Sequence, residues 1–149
     1  MKKLATPVAV VMLVAGLGVY YGLRANKKVT FTPHTIHYIV TGYDDEGKSE
    51  TSSLVRTVNA IGDWRHVTTK SDGTVVQGHG HMTRHRNTSD SDPREDILGY
   101  SVFVRTTKAP TTTLEQYYSP DLQDDLRHIL RTNDGRLILK MEAVAIEKQ

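Results

Sequence analysis

Apolar positions follow two regimes along this chain: from Leu4 to Leu23 they run almost without interruption, and from residue 29 onward they alternate with polar ones. Alternation with a period of two is the mark of half-buried strands. Ile36, Tyr38 and Val40 alternate with His37, Ile39 and Thr41; Trp64, His66 and Thr68 with Arg65, Val67 and Thr69; Leu126, His128 and Leu130 with Arg127, Ile129 and Arg131. Between such runs lie Asp44-Asp45-Glu46-Gly47, Ser71-Asp72-Gly73 and Asn133-Asp134-Gly135, where a glycine after Asp, Asn or Glu supplies the positive φ of a tight reversal. Strands are therefore expected near 29–42, 48–59, 63–70, 74–79, 98–107, 112–118, 124–132 and 136–147, joined mainly as hairpins. Ser119-Pro120-Asp121 resembles a helix start, but the pattern fades within a turn and a tight loop is expected. Gly80 to Asp96 has almost no apolar residue and reads as a solvated loop between two hairpin systems.

The amino-terminal regime predicts a membrane segment. Lys2 and Lys3 precede the apolar run, and Arg24, Lys27 and Lys28 follow it. Its length of about 20 residues matches what a helix needs to cross a bilayer. A cleaved signal would need a shorter core with small residues at its cut site. Gly16-Leu17-Gly18 and Val14-Ala15-Gly16 have that form, yet the run continues past both, and Tyr20 and Tyr21 fall at headgroup depth. An uncleaved single-pass anchor is expected over cleavage and secretion. The basic leader before the first apolar segment puts the amino terminus in the cytoplasm and the body outside. Pro7 lies in the first turns, where its missing N–H costs little, and Gly18 and Gly22 are spaced as in helix-pairing motifs.

Charge removes one class of partner. The chain is formally +2, but five of its 19 Lys and Arg residues sit in the leader and its flank, which leaves 14 in the body against 17 acidic residues. A nucleic-acid-binding domain would carry a clustered basic surface instead. With no cysteine in the chain, disulfides, thiol catalysis, thiolate zinc sites and lipoprotein maturation are all excluded. About 120 residues beyond Lys28 are enough for one domain.

Candidate chemistry is sparse. His79, His81 and His85 are the best residues for a metal, since imidazole suits zinc, copper and nickel. His79 and His81 share a strand face, whereas His81 and His85 would align only on a helix. Arg84 and Arg86 add positive charge, and Asp90, Asp92, Glu95 and Asp96 would have to fold back to complete a site. No metal or cofactor is expected. His34, His37, His66 and His128 occur singly on strand patterns and are expected at the surface or its boundary, and Asp121, Asp124 and Asp125 in a solvated turn. Trp64 is expected as a core anchor, and Asn87-Thr88-Ser89 matches the glycosylation acceptor pattern without the context to support it. No serine-hydrolase elbow, zincin helix or phosphate loop is present, so no catalytic residue is assigned.

The segments Leu114 to Leu122, Arg127 to Arg131 and Asn133 to Arg136 carry a resemblance. Glu115-Gln116-Tyr117-Tyr118-Ser119-Pro120-Asp121-Leu122 is similar to Glu-x-Tyr-Tyr-Ser-Pro-Glu/Asp-Leu segments of uncharacterised bacterial periplasmic proteins. The succession of hairpins is similar to that of lipoprotein-localisation carriers. This resemblance covers the last third of the chain and implies a curved antiparallel sheet. The resulting expectation is a mainly β protein: residues 1–28 an anchor or signal segment, residues 29–149 one extracytoplasmic domain forming a curved antiparallel sheet or incomplete barrel, with a closed sandwich as the alternative. Its expected role is a non-catalytic envelope module at the bacterial inner membrane, binding a protein partner or acting as a structural accessory. Carriage of an apolar ligand or lipoprotein is second, since Phe31, Phe103 and Trp64 are the only large rings beside the tyrosines.

Overall fold

The computed structural model describes residues 29–89 and 92–149. The run at 4–23, the leader over 1–28 and Asp90 lie outside them. Among the described residues no helix is long and apolar enough to cross a membrane. They form nine strands: β1 (His34–Tyr43), β2 (Ser49–Val58), β3 (Asp63–Thr69), β4 (Val75–His81), β5 (Arg94–Ile97), β6 (Tyr100–Lys108), β7 (Thr112–Ser119), β8 (Asp124–Thr132) and β9 (Leu137–Lys148). All belong to one antiparallel sheet with the order β4-β3-β2-β1-β9-β8-β7-β6-β5.

From β1 at the centre of the sheet the chain steps outward by hairpins to β4, resumes at the opposite edge with β5 and steps back. Only the central β1–β9 pairing joins residues distant in sequence, with His34 opposite Lys148. Irregularities between His37 and Tyr38, between Tyr117 and Tyr118 and between Leu130 and Arg131 interrupt the ladders. Each extra residue bends its strand and increases the local twist, which curves the sheet. The two edge strands β4 and β5 do not pair, so the barrel remains open.

Expected reversals fall where the turn glycines predicted them: Gly47, Gly73 and Gly135 all have positive φ. One strand was not expected. Arg94-Glu95-Asp96-Ile97 lies inside the stretch read as a loop, and it pairs with Tyr100 to Phe103 through a turn in which Leu98 and Gly99 both have positive φ. That backbone twist matches the twist of paired strands and closes a two-residue hairpin despite the charged sequence.

Alternation places Ile36, Tyr38 and Val40 on one face with their cross-strand neighbours Leu54, Arg56 and Ala143, and these apolar positions are buried. The main core joins Ile36, Tyr38, Val40 and Leu54 to Leu122, Leu126, Leu139 and Met141, and a smaller cluster joins Phe31, Val58 and Trp64. Leu126 is the residue skipped between Arg127, opposite Tyr117, and Asp125, opposite Tyr118, and it has no exposed surface. An open apolar concavity would leave such lining side chains wet. Here the face is filled.

Candidate functional site

The covered face is closed at one end by a polar cluster built on the β7–β8 hairpin. Ser119 and Gln123 bracket its turn, with Gln123 N–H donating to the Ser119 carbonyl at 2.7 Å and Gln123 itself at positive φ. The turn delivers Asp124 and Asp125 side by side into the interior, where each is more than nine-tenths buried. Asp124 Oδ2 accepts from Arg56 Nε at 2.7 Å and lies 3.2 Å from His34 Nε2, while His34 Nδ1 donates to the Thr32 carbonyl at 2.7 Å. Asp125 accepts both ends of the Arg86 fork, at 2.6 and 3.0 Å, and His128 Nε2 at 2.8 Å. The Tyr38 hydroxyl donates to the Asp125 carbonyl at 2.6 Å. His128 Nδ1 is buried without a partner.

Electrostatics follow from this pairing. Burial opposes ionisation of Asp124, but Arg56 and then His34 reverse it and hold the carboxyl below its usual range. Burial likewise opposes ionisation of Asp125, and Arg86 with His128 holds it far lower. Burial raises the Tyr38 hydroxyl well above its ordinary value and pushes Tyr118 up to about 12. Burial lowers His66, with the Arg56 charge acting in the same direction. Two carboxylates neutralised by two guanidiniums are weak bases and hold no proton to give at neutral pH. Their chemistry is that of a lock.

Asp124 ties the β7–β8 hairpin to β1 and β2, and Asp125 ties it to the connection that follows β4. Residues 82–89 cross one end of the covered face, and Arg86 is clasped between Asp125 and the Tyr118 ring, 4.7 Å from the ring centre. Met82 N–H donates to the Gly62 carbonyl, and Arg105 donates to the Asn87 carbonyl. The described residues of this connection, 82–89, are largely exposed, as expected of a solvated loop, and Arg86 anchors them as a strap. Asp124 and Asp125 correct the solvated-turn reading, since the hairpin points them inward onto arginines 68 and 39 residues away. His34, His66 and His128 are buried as well, not at the surface.

The histidine segment is divided by the same geometry. His79 and His81 lie on the outward face of β4, and His81 Nδ1 is 2.7 Å from Asp63 Oδ1. His85 belongs to the strap, where Nε2 donates to the Thr30 carbonyl at 2.7 Å, Nδ1 receives Gln123 Nε2 at 3.3 Å, and the ring packs edge-on against Phe31. Among the described residues no group of three or more His, Cys, Asp or Glu is arranged to hold a metal ion.

The edges of the sheet differ in kind. β5 is four residues long and carries Arg94, Glu95 and Asp96, with Glu95 paired to Arg127 at 2.8 Å. Short, charged strands of this kind discourage edge pairing. β4 is seven residues long and contains no Lys, Arg, Asp or Glu. Met82 N–H to Gly62 carbonyl and Lys70 N–H to Thr74 carbonyl set the phase of the β3–β4 ladder. Even-numbered residues of β4 bond inward, so the N–H and C=O of Val75, Gln77, His79 and His81 point off the edge. The inner face of β4 is spanned by glycines because rings lean over it. A Cβ on Gly80 would stand 2.6 Å from the Trp64 ring, and one on Gly78 2.5 Å from the His66 ring. Trp64 and His66 stack at 5.5 Å, and the Arg56 guanidinium sits 4.8 Å from the Trp64 ring centre.

No protein-family model and no curated protein matches this sequence. Among solved structures, the fold is similar to MucB in complex with MucA(peri), with a TM-score of 0.52 and 14% identity over 78% of this chain. It is also similar to MucB alone, with a TM-score of 0.50 and 11% identity over 81% of this chain, and to MucB in the Pseudomonas aeruginosa MucA/MucB complex, with a TM-score of 0.50 and 11% identity over 78%. The chain spans about half the length of the MucB chains, covering 50%, 55% and 51% of them. At this identity the likeness concerns the fold, a curved and open antiparallel sheet of the kind the hairpin succession implied.

Proposed function

We propose that this protein is a non-catalytic, membrane-anchored module of the bacterial envelope that binds a protein partner. The observation that carries the reading is the open sheet, packed solid on its covered face while its β4 edge stays unpaired among the described residues. A filled face gives an acyl chain no room, which favours a protein partner over an apolar ligand or lipoprotein. The inward carboxylates support a structural role, because both are engaged by arginine. The fold likeness to MucB, which was solved in complex with MucA(peri), supports the same class of activity. Residues 4–23 would tether the body to the inner membrane, with residues 29–149 on the periplasmic side.

Affinity purification of the tagged full-length chain from detergent-solubilised native membranes tests the reading. One protein recovered in stoichiometric amount and bound again by the purified chain is the expected result. Recovery of the chain with no such protein, or with tightly held lipid instead, would refute it. Amino-terminal sequencing of the same material checks the anchor, and a mature start between Leu17 and Lys28 would eliminate it.

A further inference from the structure

We propose that the β4 edge is where the partner docks, and that the partner contributes an extended segment with a carboxylate opposite His79. The inference deepens the protein-binding reading and rests on it. Adding a strand to a sheet needs a run of unpaired backbone groups, a flat approach and no charge along the edge that repels the newcomer. β4 supplies all three: outward backbone groups at Val75, Gln77, His79 and His81, glycines at 78 and 80, and no Lys, Arg, Asp or Glu. β5 offers only a short run of backbone groups and no neutral approach, being four residues long with three of them charged.

Side chains on the outward face select the partner. His79 stands directly opposite Arg65 of β3, and both are exposed. Among the described residues the Arg65 side chain has no hydrogen-bonding or ionic partner. The next residue along β4 on this face differs, because His81 already has Asp63. One basic position is therefore neutralised and the other is not. Cross-strand neighbours lie about 5 Å apart, so an Asp or Glu opposite His79 on an added strand comes within reach of the Arg65 fork and the His79 ring. Gln77 and Val75 ask only for polar or β-branched neighbours.

The test uses the purified full-length chain and a fluorescein-labelled, end-capped peptide of alternating Thr and Val with one central Asp, followed by anisotropy. Saturable binding is expected. Methylating alternate amides of the peptide on its bonding side should weaken binding at least about tenfold, as should His79→Pro, which deletes one outward N–H at an edge position where proline is tolerated. Arg65→Glu lies on an exposed site and leaves the fold intact. It should weaken the Asp peptide about tenfold and favour the same peptide with Lys in place of Asp. Binding that survives both N-methylation and His79→Pro would overturn the proposal. So would the absence of saturable binding, binding indifferent to the peptide's charge, or a chain already dimerised through β4. If a native partner is recovered while these peptides fail, the edge proposal falls and the protein-binding function stands. If the peptides bind and no partner is recovered, the β4 edge can add a strand, but the protein-binding function falls and the docking proposal falls with it.

Discussion

Replacing Asp125 with alanine should destabilise the protein far more than removing a carboxylate at its surface. The substitution removes the acceptor of three hydrogen bonds from Arg86 and His128 at 2.6 to 3.0 Å. It leaves a guanidinium facing no carboxylate and a second orphaned nitrogen on His128, whose Nδ1 already lacks a partner. Breaking one side of a buried ion pair costs about 3–5 kcal/mol. The Arg86 side chain keeps 29% of its surface exposed and can turn toward water. The expected loss is therefore about 3 kcal/mol, at the low end of that range, or about 10 °C in Tm for a domain of this size. Urea unfolding followed by the fluorescence of Trp64, the sole tryptophan, measures it. Asp45→Ala is the control, since Asp45, paired with Arg136, is almost wholly exposed, and its loss should leave the midpoint unchanged. Arg86→Ala combined with Asp125→Ala should cost clearly less than the two single losses together, because the double variant strands no charge. The pH dependence has a definite sign: the folded carboxyl is held below its unfolded value, so its contribution is complete above about pH 5 and is lost as pH falls below about 4. Asp125→Ala should flatten that acid limb. A cost below about 1 kcal/mol, typical of an exposed pair, would refute the buried-lock account.

Two further outcomes are expected. Gly62→Ala should cost more than Gly80→Ala: at Gly62 a Cβ would stand 2.4 Å from the Met82 carbonyl oxygen at a φ of +90°, whereas at Gly80 it meets the Trp64 ring. Urea midpoints of the two variants check the order, and Gly80→Ala alone should shift the Trp64 emission as the ring is displaced. Zinc, copper or nickel should leave the thermal midpoint of the wild-type chain where it is, and alanine at His79, His81 and His85 should make no difference to that response. A metal-dependent rise abolished by the triple substitution would promote metal handling over partner binding.

Strands and turns were legible because their signals are local. Ile36-His37-Tyr38 alternates in the sequence whatever surrounds it, and Asp72-Gly73 and Asp134-Gly135 specify their own backbone twist. β5 was not legible, because Arg94, Glu95 and Asp96 become a strand only by pairing with Ser101, Val102 and Phe103 across Leu98-Gly99. The histidines show the same limit. His66 and His79 both sit in alternating runs, yet His66 is buried and His79 is not, since one lies on the covered face of an inner strand and the other on the outward face of an edge strand. Asp124 and Asp125 read as a solvated turn because two adjacent carboxylates after Ser-Pro-Asp say nothing of Arg56 and Arg86, which reach them only once the sheet has curved and the strap has crossed. By itself, the sequence determined which residues alternate and where the chain reverses, since steric preference and side-chain period act over a few residues. Only the tertiary structure decided which carboxylates were neutralised, which strands became edges and that the Arg65 side chain found no partner among the described residues, because burial and charge pairing are set by neighbours brought together from distant parts of the chain.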